Sequence, residues 1–521
     1  MTGSLANLPA PTEAATGLWD LIERRATETP DHQVAVDEDG RTMTAREMRD
    51  AAERAAAGLA GLGVGAGTPV SWMLPTWFES AILVAALARL GAVQNPMLPI
   101  LGPREMEFIT GQTGAELFVV PSTWKGRDFE AEARAIADGR PGMAVLVSDR
   151  SLPEGDPATL PPAPTPATPA DSPVRWVFYT SGTTADPKGA QHTDHTVLAS
   201  AIGMIEALEI EPDDRSAMVF PFTHIGGIGW LFTMAITGCV GIFVEAFDPK
   251  GTVEVLRRED VTLAGAGTPF HMAYLAAQRA EGDKPIFPHV RCCPGGGAPK
   301  PPQLHYDCKA ELGGVGIVSG YGLTEAPILT MCSIHDTDPQ LADTEGSATP
   351  GVELRAVTLE GKVAAPGEEG EIRAKGRQIF EGYLDSSLDA DAFDEDGWFR
   401  SGDLGVIEAD GHVRITGRLK DIIVRKGENI SAKEIEDLLF GHPQIADAAV
   451  IGLADDERGE MACAVIVVDG ADAPGLAELF EYLKGKGLSV PKIPERLEIV
   501  EVLPRNPAGK VLKHELRSTY S

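Results

Sequence analysis

The feature that most constrains this chain is an apolar segment that passes directly into a loop of glycine and small hydroxyl residues. Residues 175–180 read RWVFYT, and residues 181–184 continue with SGTT. The same strand–loop layout recurs at 217–222, 263–268 and 315–320. In doubly wound sheets, ligands bind beyond the carboxyl ends of strands, where such loops gather. We therefore expect an α/β protein with its ligand site at that edge of the sheet.

The rest of the chain divides into regions of different character. Residues 18–148 alternate helical and strand patterns, which favours a sheet covered on both faces. Residues 152–173 hold eight prolines and are predicted to be an extended surface connection. Short alternating strands with tight turns begin at Val352, and a compact α+β unit follows them. We predict layered α/β sheets plus a β-barrel-like region in an N-terminal domain of residues 1–417, and a small C-terminal domain of residues 418–521.

Composition and charge exclude several classes of protein. Among 521 residues, 45 Lys and Arg stand against 77 Asp and Glu, for a net charge of −32. Nucleic acids and anionic membrane surfaces both select basic faces, so neither is an expected partner. The six cysteines form no CxxC pair, which argues against a zinc site and favours reduced thiols. There is no signal-peptide pattern and no apolar span of about 20 residues, so we predict a cytoplasmic protein without a membrane segment.

Residues 179–189, with the sequence YTSGTTADPKG, form the strongest single motif. Glycine and small hydroxyl residues let backbone N–H groups approach phosphate oxygens, and Lys188 adds a positive charge. The segment is not a Walker loop, because no second glycine precedes Lys188. The alternative interpretation is an exposed polar turn before a helix, which is predicted to begin near Thr193.

This motif resembles the phosphate loop of the adenylate-forming superfamily, which contains acyl-CoA synthetases, stand-alone adenylation domains and luciferases. Six further motifs of that superfamily follow in the expected order. They are PFTH at 221–224, GGGAP at 295–299, GYGLTE at 320–325, GWFRSGD at 397–403, GRLKD at 417–421 and PRNPAGK at 504–510. Any one motif has little weight alone, but seven in order make the resemblance specific, and it covers nearly the whole chain from about residue 20 to 515.

The resemblance implies a role for individual residues. Tyr321 is expected to stack on adenine, Asp403 to hold the ribose hydroxyls, and Thr324 to contact the α-phosphate. Glu325 is the implied Mg²⁺ ligand, and Lys510 the implied lysine of the C-terminal lid. The catalytic residues are predicted to be Lys510, His224, Thr324 and Glu325. The predicted nucleotide-binding residues are Thr180, Ser181, Gly182, Thr183, Thr184, Lys188, Gly297, Ala298, Pro299, Tyr321, Gly322, Thr324, Asp403, Arg418, Lys420 and Gly427.

The resemblance also implies a reaction in two stages that uses ATP, or a supplied acyl-AMP, and then CoA. A carboxylate attacks the α-phosphate of ATP, pyrophosphate leaves and an acyl-adenylate results; CoA thiolate then displaces AMP. Between the stages, the C-terminal domain is expected to turn about a hinge near Lys420, which removes Lys510 and brings residues 426–429 to the site. The expected partners are a small carboxylic acid and CoA, and a homodimer is left open.

The same resemblance locates the acyl pocket near residues 224–230, 264–268, 295–297 and 326–329. Glycines there leave space and the other side chains are mostly apolar, so a bulky, hydrophobic acid is predicted, alicyclic or polycyclic. The chain most resembles bacterial ligases for cyclohexanecarboxylate-type acids, and it also resembles those that activate polycyclic terpenoid acids in antibiotic pathways. Thr223 stands where amino-acid adenylation domains place an aspartate, which argues against that class. The predicted substrate-binding residues are His224, Gly227, Ile228, Gly267, Gly295, Gly296, Gly320 and Ile328.

Two positions depart from the family pattern. Ala185 stands where glycine is usual, so its Cβ restricts approach to phosphate, and Asp186 adds negative charge. An acyl-AMP has only the α-phosphate and would be less affected. One alternative is therefore an enzyme that only transfers preformed acyl-AMP to CoA, with weak or no adenylation. Lys188, Glu325 and Lys510 are intact, which favours the full ligase. Loading of a carrier protein and non-catalytic nucleotide binding are further alternatives.

Overall fold

A computed structural model describes residues 15–180, 187–298, 300–425, 428–455, 458–470, 473–505 and 510–521. The helices are α1 Leu18–Glu28, α2 Ala45–Gly61, α3 Phe78–Leu90, α4 Pro103–Gln112, α5 Phe129–Asp138, α6 Asp194–Leu208, α7 Ile225–Thr237, α8 Pro249–Arg258, α9 Thr268–Glu281, α10 Pro302–Asp307, α11 Asp338–Asp343, α12 Asp389–Ala392, α13 Ala432–Phe440, α14 Leu476–Gly485 and α15 Lys513–Tyr520.

The first sixteen strands are β1 Gln33–Asp37, β2 Thr42–Thr44, β3 Pro69–Trp72, β4 Val93–Pro96, β5 Leu117–Val120, β6 Thr123–Trp124, β7 Arg127–Asp128, β8 Ala144–Val147, β9 Val174–Thr180, β10 Lys188–Thr193, β11 Arg215–Met218, β12 Val240–Phe243, β13 Cys293–Gly296, β14 Ile317–Tyr321, β15 Thr330–Met331 and β16 Ser347–Ala348. The later strands are β17 Glu353–Val357, β18 Glu369–Lys375, β19 Phe399–Ile407, β20 Val413–Arg418, β21 Ile422–Arg425, β22 Glu428–Ser431, β23 Ile445–Asp455, β24 Gly459–Val468 and β25 Arg496–Val500.

Layered sheets dominate the N-terminal part. One sheet has the order β10-β9-β4-β3-β5-β8 and is parallel except at its β10 edge. The sheets β11-β12-β1-β2 and β13-β14-β15-β16 are joined by parallel bridges from Leu263 to Ser216 and to Cys292. The β-barrel-like region is the antiparallel sheet β17-β18-β19-β20. The predicted α/β fold class is confirmed.

The largest core lies between the layered sheets, around α3, α6 and α7. The sequence of α3, FESAILVAALARL, is apolar on every side, and all of its residues except Ala88 are buried. A helix of this kind needs apolar neighbours all around, so it packs between two layers rather than on a surface. No helix in the described ranges is both long and apolar enough to cross a membrane.

The secondary structure between the phosphate motif and α6 differs from the sequence prediction. The helix α6 does begin after Thr193, whose side chain caps it by accepting from Thr196 N. However, β10 precedes that helix and pairs antiparallel with β9, so that Lys188 lies opposite Thr180. The segment KGAQHT supplies buried positions at both Gly189 and Ala190, which fit a strand that packs against a layer. Along the chain, β10 therefore stands between the phosphate motif and the start of α6.

The C-terminal part has a core of its own, built from α13, α14 and the long antiparallel pair β23–β24. It follows β20 through a 3-10 turn at Leu419–Asp421. The Ser431 hydroxyl donates to the Thr416 carbonyl at 2.5 Å, so the two parts touch beside this turn. The boundary between residues 417 and 418 stays a prediction.

Candidate active site

The sequence motifs converge on one cavity of about 850 Å³. It lies beyond the carboxyl ends of β9, β13 and β14, as expected for a doubly wound sheet. The C-terminal part contributes to its wall. The predicted site residues that line this cavity are Thr180, Lys188, His224, Gly295, Gly296, Gly297, Gly320, Gly322, Thr324, Glu325, Ile328, Arg418, Lys420 and Lys510.

A buried carboxylate lies next to this cavity. The register of β19 and β20 places Asp403 opposite Arg418, and Arg418 Nε lies 2.6 Å from Asp403 Oδ1. Tyr321 Oη donates a hydrogen bond of 2.8 Å to Asp403 Oδ2. Asp403 is only 2% exposed, so its charge depends on these partners. Burial raises the pKa of Tyr321, which keeps its phenol protonated and able to donate.

Tyr321 and Asp403 also line a second cavity, of about 220 Å³, between the N-terminal and C-terminal parts. Gly297, Ala298 and Gly322 share its lining. Glycine backbone beside an aromatic ring suits the stacking of a planar base. Asp403, an acceptor-only carboxylate, suits the paired hydroxyls of a ribose next to that base.

Lys510 precedes α15 and lines both cavities. Burial, and then the nearby Arg418 cation, lower the pKa of Lys510 to about 8. Burial also lowers the pKa of Lys420, which lines the same two cavities. Three cationic side chains thus gather around the Asp403 carboxylate, and this setting favours an anionic ligand.

The opposite end of the site is built around Glu325. Tyr383 Oη donates to Glu325 Oε1 at 2.7 Å, and both side chains are buried. Lys188 Nζ lies 5.1 Å from the centre of the Tyr383 ring. Tyr383 was not predicted, because its contacts with β10, a bridge to Ala190 and a bond from Gln191 Nε2 to its carbonyl, join distant segments that no local pattern connects.

Glu325 fits the implied Mg²⁺ site. Mg²⁺ is usually held by one or two carboxylates together with substrate phosphate oxygens, and does not need a cage of protein ligands. Within the described residues, no group of three His, Cys, Asp or Glu side chains could hold a metal. Glu325 would hold the ion, and the ion would neutralise phosphate charge.

His192, on β10, is a second residue that the sequence did not predict. Its Nε2 lies 2.8 Å from the Thr324 carbonyl oxygen, and its Nδ1 lies 2.9 Å from Thr196 Oγ1. A carbonyl only accepts, so Nε2 carries the proton and Nδ1 faces the hydroxyl as an acceptor. Burial lowers the pKa of His192 to about 4, so the ring is neutral at neutral pH. His192 therefore fixes the backbone beside Glu325.

His224 is the N-cap of α7, where its Nδ1 accepts from Gly226 N at 3.1 Å. Burial lowers the pKa of His224, which keeps the ring neutral and able to accept. His224 also lines a neighbouring cavity of about 800 Å³, which shares Thr180 and Thr324 with the main one. The ring thus lies at the junction of two cavities.

The inner end of the main cavity is apolar. Met204 and Leu208 of α6, Trp230 of α7 and Phe270 of α9 line it. A Cβ at Gly229 would lie 3.7 Å from Met204 Cε, so this glycine keeps the compartment open.

Three of the predicted substrate-binding residues are not among those that line the cavity. On α7, the residues that face it are Ile225, Gly226, Gly229 and Trp230. The helical period turns Gly227 and Ile228 to the other face, where Ile228 is 0% exposed in the core. A Cβ at Gly227 would lie 2.4 Å from the Phe222 carbonyl oxygen, so glycine there serves close packing. Likewise Gly267 faces the Gly296 carbonyl, while Gly265 and Ala266 line the cavity.

Several predicted residues lie outside the described residues. They are Ser181, Gly182, Thr183, Thr184, Pro299 and Gly427, together with the departures Ala185 and Asp186.

Comparison with known proteins decides the family. The sequence profile of the AMP-binding enzyme family matches residues 22–384, and that of the AMP-binding enzyme C-terminal domain matches residues 434–510. The chain belongs to this family. The predicted superfamily and enzyme class, an AMP-forming acid–thiol ligase, are confirmed, and so is the predicted use of ATP, Mg²⁺ and CoA.

This AMP-binding enzyme is similar to proteins of several specificities. It is 30% identical to the medium-chain fatty-acid–CoA ligase of Escherichia coli, over 96% of this chain and 91% of the relative. The ATP-bound structure of MatB from Rhodopseudomonas palustris matches with a TM-score of 0.86 and 27% identity, over 97% of this chain and 99% of the other. O-succinylbenzoate coenzyme A synthetase from Bacillus subtilis, in complex with ATP and magnesium ion, matches with a TM-score of 0.82 and 27% identity, over 96% and 99%.

We expect the stability of the AMP-binding enzyme to fall as pH drops from 6.5 towards 4. Burial lowers the pKa of both His192 and His271 to about 4, whereas histidines of an unfolded chain protonate near pH 6.5. Below pH 6.5, protons therefore bind preferentially to the unfolded state, and at pH 5 each histidine lowers the free energy of unfolding by about 2 kcal/mol. Urea unfolding between pH 7 and 4.5 measures the slope, which His192→Gln should flatten. His289→Gln, at an exposed histidine, is the control; equal slopes for His192→Gln and the parent would contradict the prediction.

We expect Tyr383→Phe to weaken the use of MgATP. The variant loses the hydrogen bond to Glu325, and a bond to a charged group contributes about 1.5–3 kcal/mol, so KM for MgATP should rise about tenfold or more. KM for the acid should change little. Steady-state kinetics measure both, with Tyr306→Phe at an exposed tyrosine as the control. An unchanged KM for MgATP would show that Glu325 does not depend on this bond.

Proposed function

We propose that this enzyme converts a bulky hydrophobic carboxylic acid, with an alicyclic or polycyclic skeleton, to its CoA thioester. The observation that carries the proposal is the position of the apolar compartment, which continues directly from Thr324 and Glu325 towards Met204 and Trp230. An acid in this compartment would hold its ring among apolar side chains and present its carboxylate to the charged end.

In the first step, an oxygen of the acid bonds to the α-phosphorus of ATP, and the bond to the pyrophosphate oxygen breaks. Both reactants are anions, so the site must neutralise charge as they meet. Lys510 provides a cation beside Asp403 and Arg418, and Lys188 provides another beside Glu325 and its partner tyrosine. In the second step, the CoA thiolate bonds to the acyl carbon and AMP leaves.

The two steps need different groups at one site, so we propose that the C-terminal domain turns about Lys420 between them. The 3-10 turn at Leu419–Asp421 is short enough to absorb the rotation in a few torsions. The bond between Ser431 and Thr416 beside the turn would have to break as it opens. The turn would withdraw Lys510 and bring the loop at 426–429 to the site, which would admit the pantetheine past His224.

We propose an apolar acid because the described part of the compartment has no charged side chain that could pair with a charged group on the substrate. Its described lining from α6, α7 and α9 carries no charged side chain. Thr223, where an amino-acid adenylation domain would place a carboxylate, is buried with an unpartnered hydroxyl. An α-ammonium group would find no counter-ion here.

Carboxylate-dependent ATP–pyrophosphate exchange tests the proposal. We expect exchange and CoA thioester formation with cyclohexanecarboxylate and larger ring acids, and much less with propionate.

Gly229→Val should lower kcat/KM for ring acids about tenfold or more, because the methyl groups of valine would fill space bounded by Met204 and Ser200. Propionate should be affected little, and Gly139→Val, at an exposed position, is the control. A preference for linear acids in the parent would overturn the assignment of ring acids.

The thioesterification-only alternative stays open because of Ala185 and Asp186. It predicts no exchange with any acid, CoA acylation from synthetic acyl-AMP, and exchange restored by Ala185→Gly. Faster acylation of a phosphopantetheinyl carrier than of CoA would favour the carrier-loading alternative. A homodimer remains a prediction that light scattering can test.

The pH profile tests the role of Lys510. Its pKa is lowered to about 8 by burial, so the ammonium loses its proton as pH rises through that value. We expect kcat/KM for exchange to fall above pH 8, and the decrease to approach about tenfold for each further pH unit. Lys510→Arg should be slower at pH 7 but flat up to pH 9.5, since arginine keeps its proton. A parent profile that is flat to pH 9.5 would contradict this role.

A further inference from the structure

One wall of the acyl compartment is a strained residue. Ile328 lines the main cavity and has φ of +50°, a left-handed conformation that β-branched residues rarely adopt. Such a conformation is energetically unfavourable and persists only where the surroundings impose it. Strained residues of this kind cluster at active sites, ligand clamps and switch regions.

The tight turn before Ile328 explains why the backbone reverses there. Leu323 N donates to the Ala326 carbonyl at 3.0 Å, and Ala326 N donates back to the Leu323 carbonyl at 3.2 Å. A Cβ at Gly322 would lie 2.4 Å from Ile328 N, so the chain folds closely onto itself. A Cβ at Gly320 would lie 3.8 Å from Ile328 Cδ1, which places the isoleucine side chain over the glycine wall of the cavity.

Two buried polar side chains hold the carbonyl of Ile328. Thr349 Oγ1 donates to it at 2.8 Å, and Gln378 Nε2 donates to it at 3.0 Å. Gln378 Nε2 also contacts Thr349 Oγ1 at 2.8 Å. The two residues come from distant parts of the chain, after β16 and β18 respectively.

This arrangement costs free energy, so packing alone does not explain it. Gln378 is 0% exposed and Thr349 is 5% exposed, and buried polar groups are unfavourable unless they are bonded. Gln378 Oε1 is buried with no hydrogen-bond partner among the described residues, which adds to the cost. An apolar side chain of the same volume would avoid that cost but could not hold the Ile328 carbonyl.

We infer that Thr349 and Gln378 are positioning residues that set the acyl specificity of the enzyme by locking Ile328 in its left-handed conformation. The locked side chain limits the width of the compartment beside Gly320. Ile328 lies only four residues after Thr324. The same hydrogen bonds therefore also fix the position of the acyl wall relative to Thr324, at the phosphate end of the cavity. The inference rests on the proposed function in that the compartment is taken to hold the acyl group.

A double-mutant cycle tests the inference. Gln378→Met removes the amide at nearly constant volume, and Ile328→Gly removes both the side chain and the strain, since glycine adopts positive φ freely. In the parent, Gln378→Met should raise KM for the preferred acid about tenfold, equivalent to about 1.4 kcal/mol, and leave kcat within about twofold. In the Ile328→Gly background, the same substitution should change KM less than about twofold. Equal effects in both backgrounds would overturn the inference.

Two further measurements separate the lock from a general loss of stability and from failure of the proposed function. Thr349→Val should shift acid selectivity in the same direction as Gln378→Met. Thr110→Val removes another buried hydroxyl, one that does not belong to the described lining of the main cavity, and should not shift it. The cycle is repeated with Tm as the readout. Gln378→Met should lower Tm more in the parent than in the Ile328→Gly background, and equal losses would overturn the lock. If no acid supported exchange, the proposed function would fail while the Tm cycle still decided the lock.

Discussion

The ion pair between Asp403 and Arg418 is the interaction on which the site depends. The register of β19 and β20 creates it, and the 3-10 turn that leads to the C-terminal part begins immediately afterwards. Because Asp403 is almost fully buried, removing its partner would leave an uncompensated charge, which is strongly destabilising. The same carboxylate receives Tyr321 from β14, so β14 of the layered sheets is tied to β19 and β20, which lead into the C-terminal part.

Local patterns predict much of the fold and many of the site residues. Short motifs carry their chemistry in contiguous residues, so the amino-acid sequence alone leads to the prediction that Asp403, Tyr321 and Glu325 belong to one site. The structure also has a capping box between Thr44 and Glu47 at the start of α2, which the spacing of these two residues in the sequence is enough to indicate. The strand β10 escapes prediction because a glycine-rich loop followed by a capped helix has the same local signature with or without an intervening strand.

The residues that sequence could not predict act through long-range contacts. Tyr383 meets Glu325, and His192 meets Thr324, from positions 58 and 132 residues away. Each is an ordinary buried residue in its own segment, and only the assembled fold supplies its partner. The phase of α7 is a related case: the motif identifies the start of the helix, but only its packing shows that Gly229, and not Ile228, faces the cavity.

The proposed function gives the site two ends, one for a nucleotide and one for an apolar acid, and each end must discriminate between ligands by different physics. At the nucleotide end, charged and hydrogen-bonding groups can reject a wrong ligand by leaving buried polar atoms unpaired, which is a large penalty. The ring system of an apolar acid has no polar atoms that could be left unpaired. One methylene group in a hydrophobic pocket changes the binding free energy by only about 1–3 kcal/mol. Selectivity for an apolar acid must therefore come from the shape of the compartment. That shape is selective only if the residues of its wall do not move to fit a different acid. A left-handed Ile328 tied to two buried side chains supplies a wall of that kind, which is why polar groups lie behind an apolar surface.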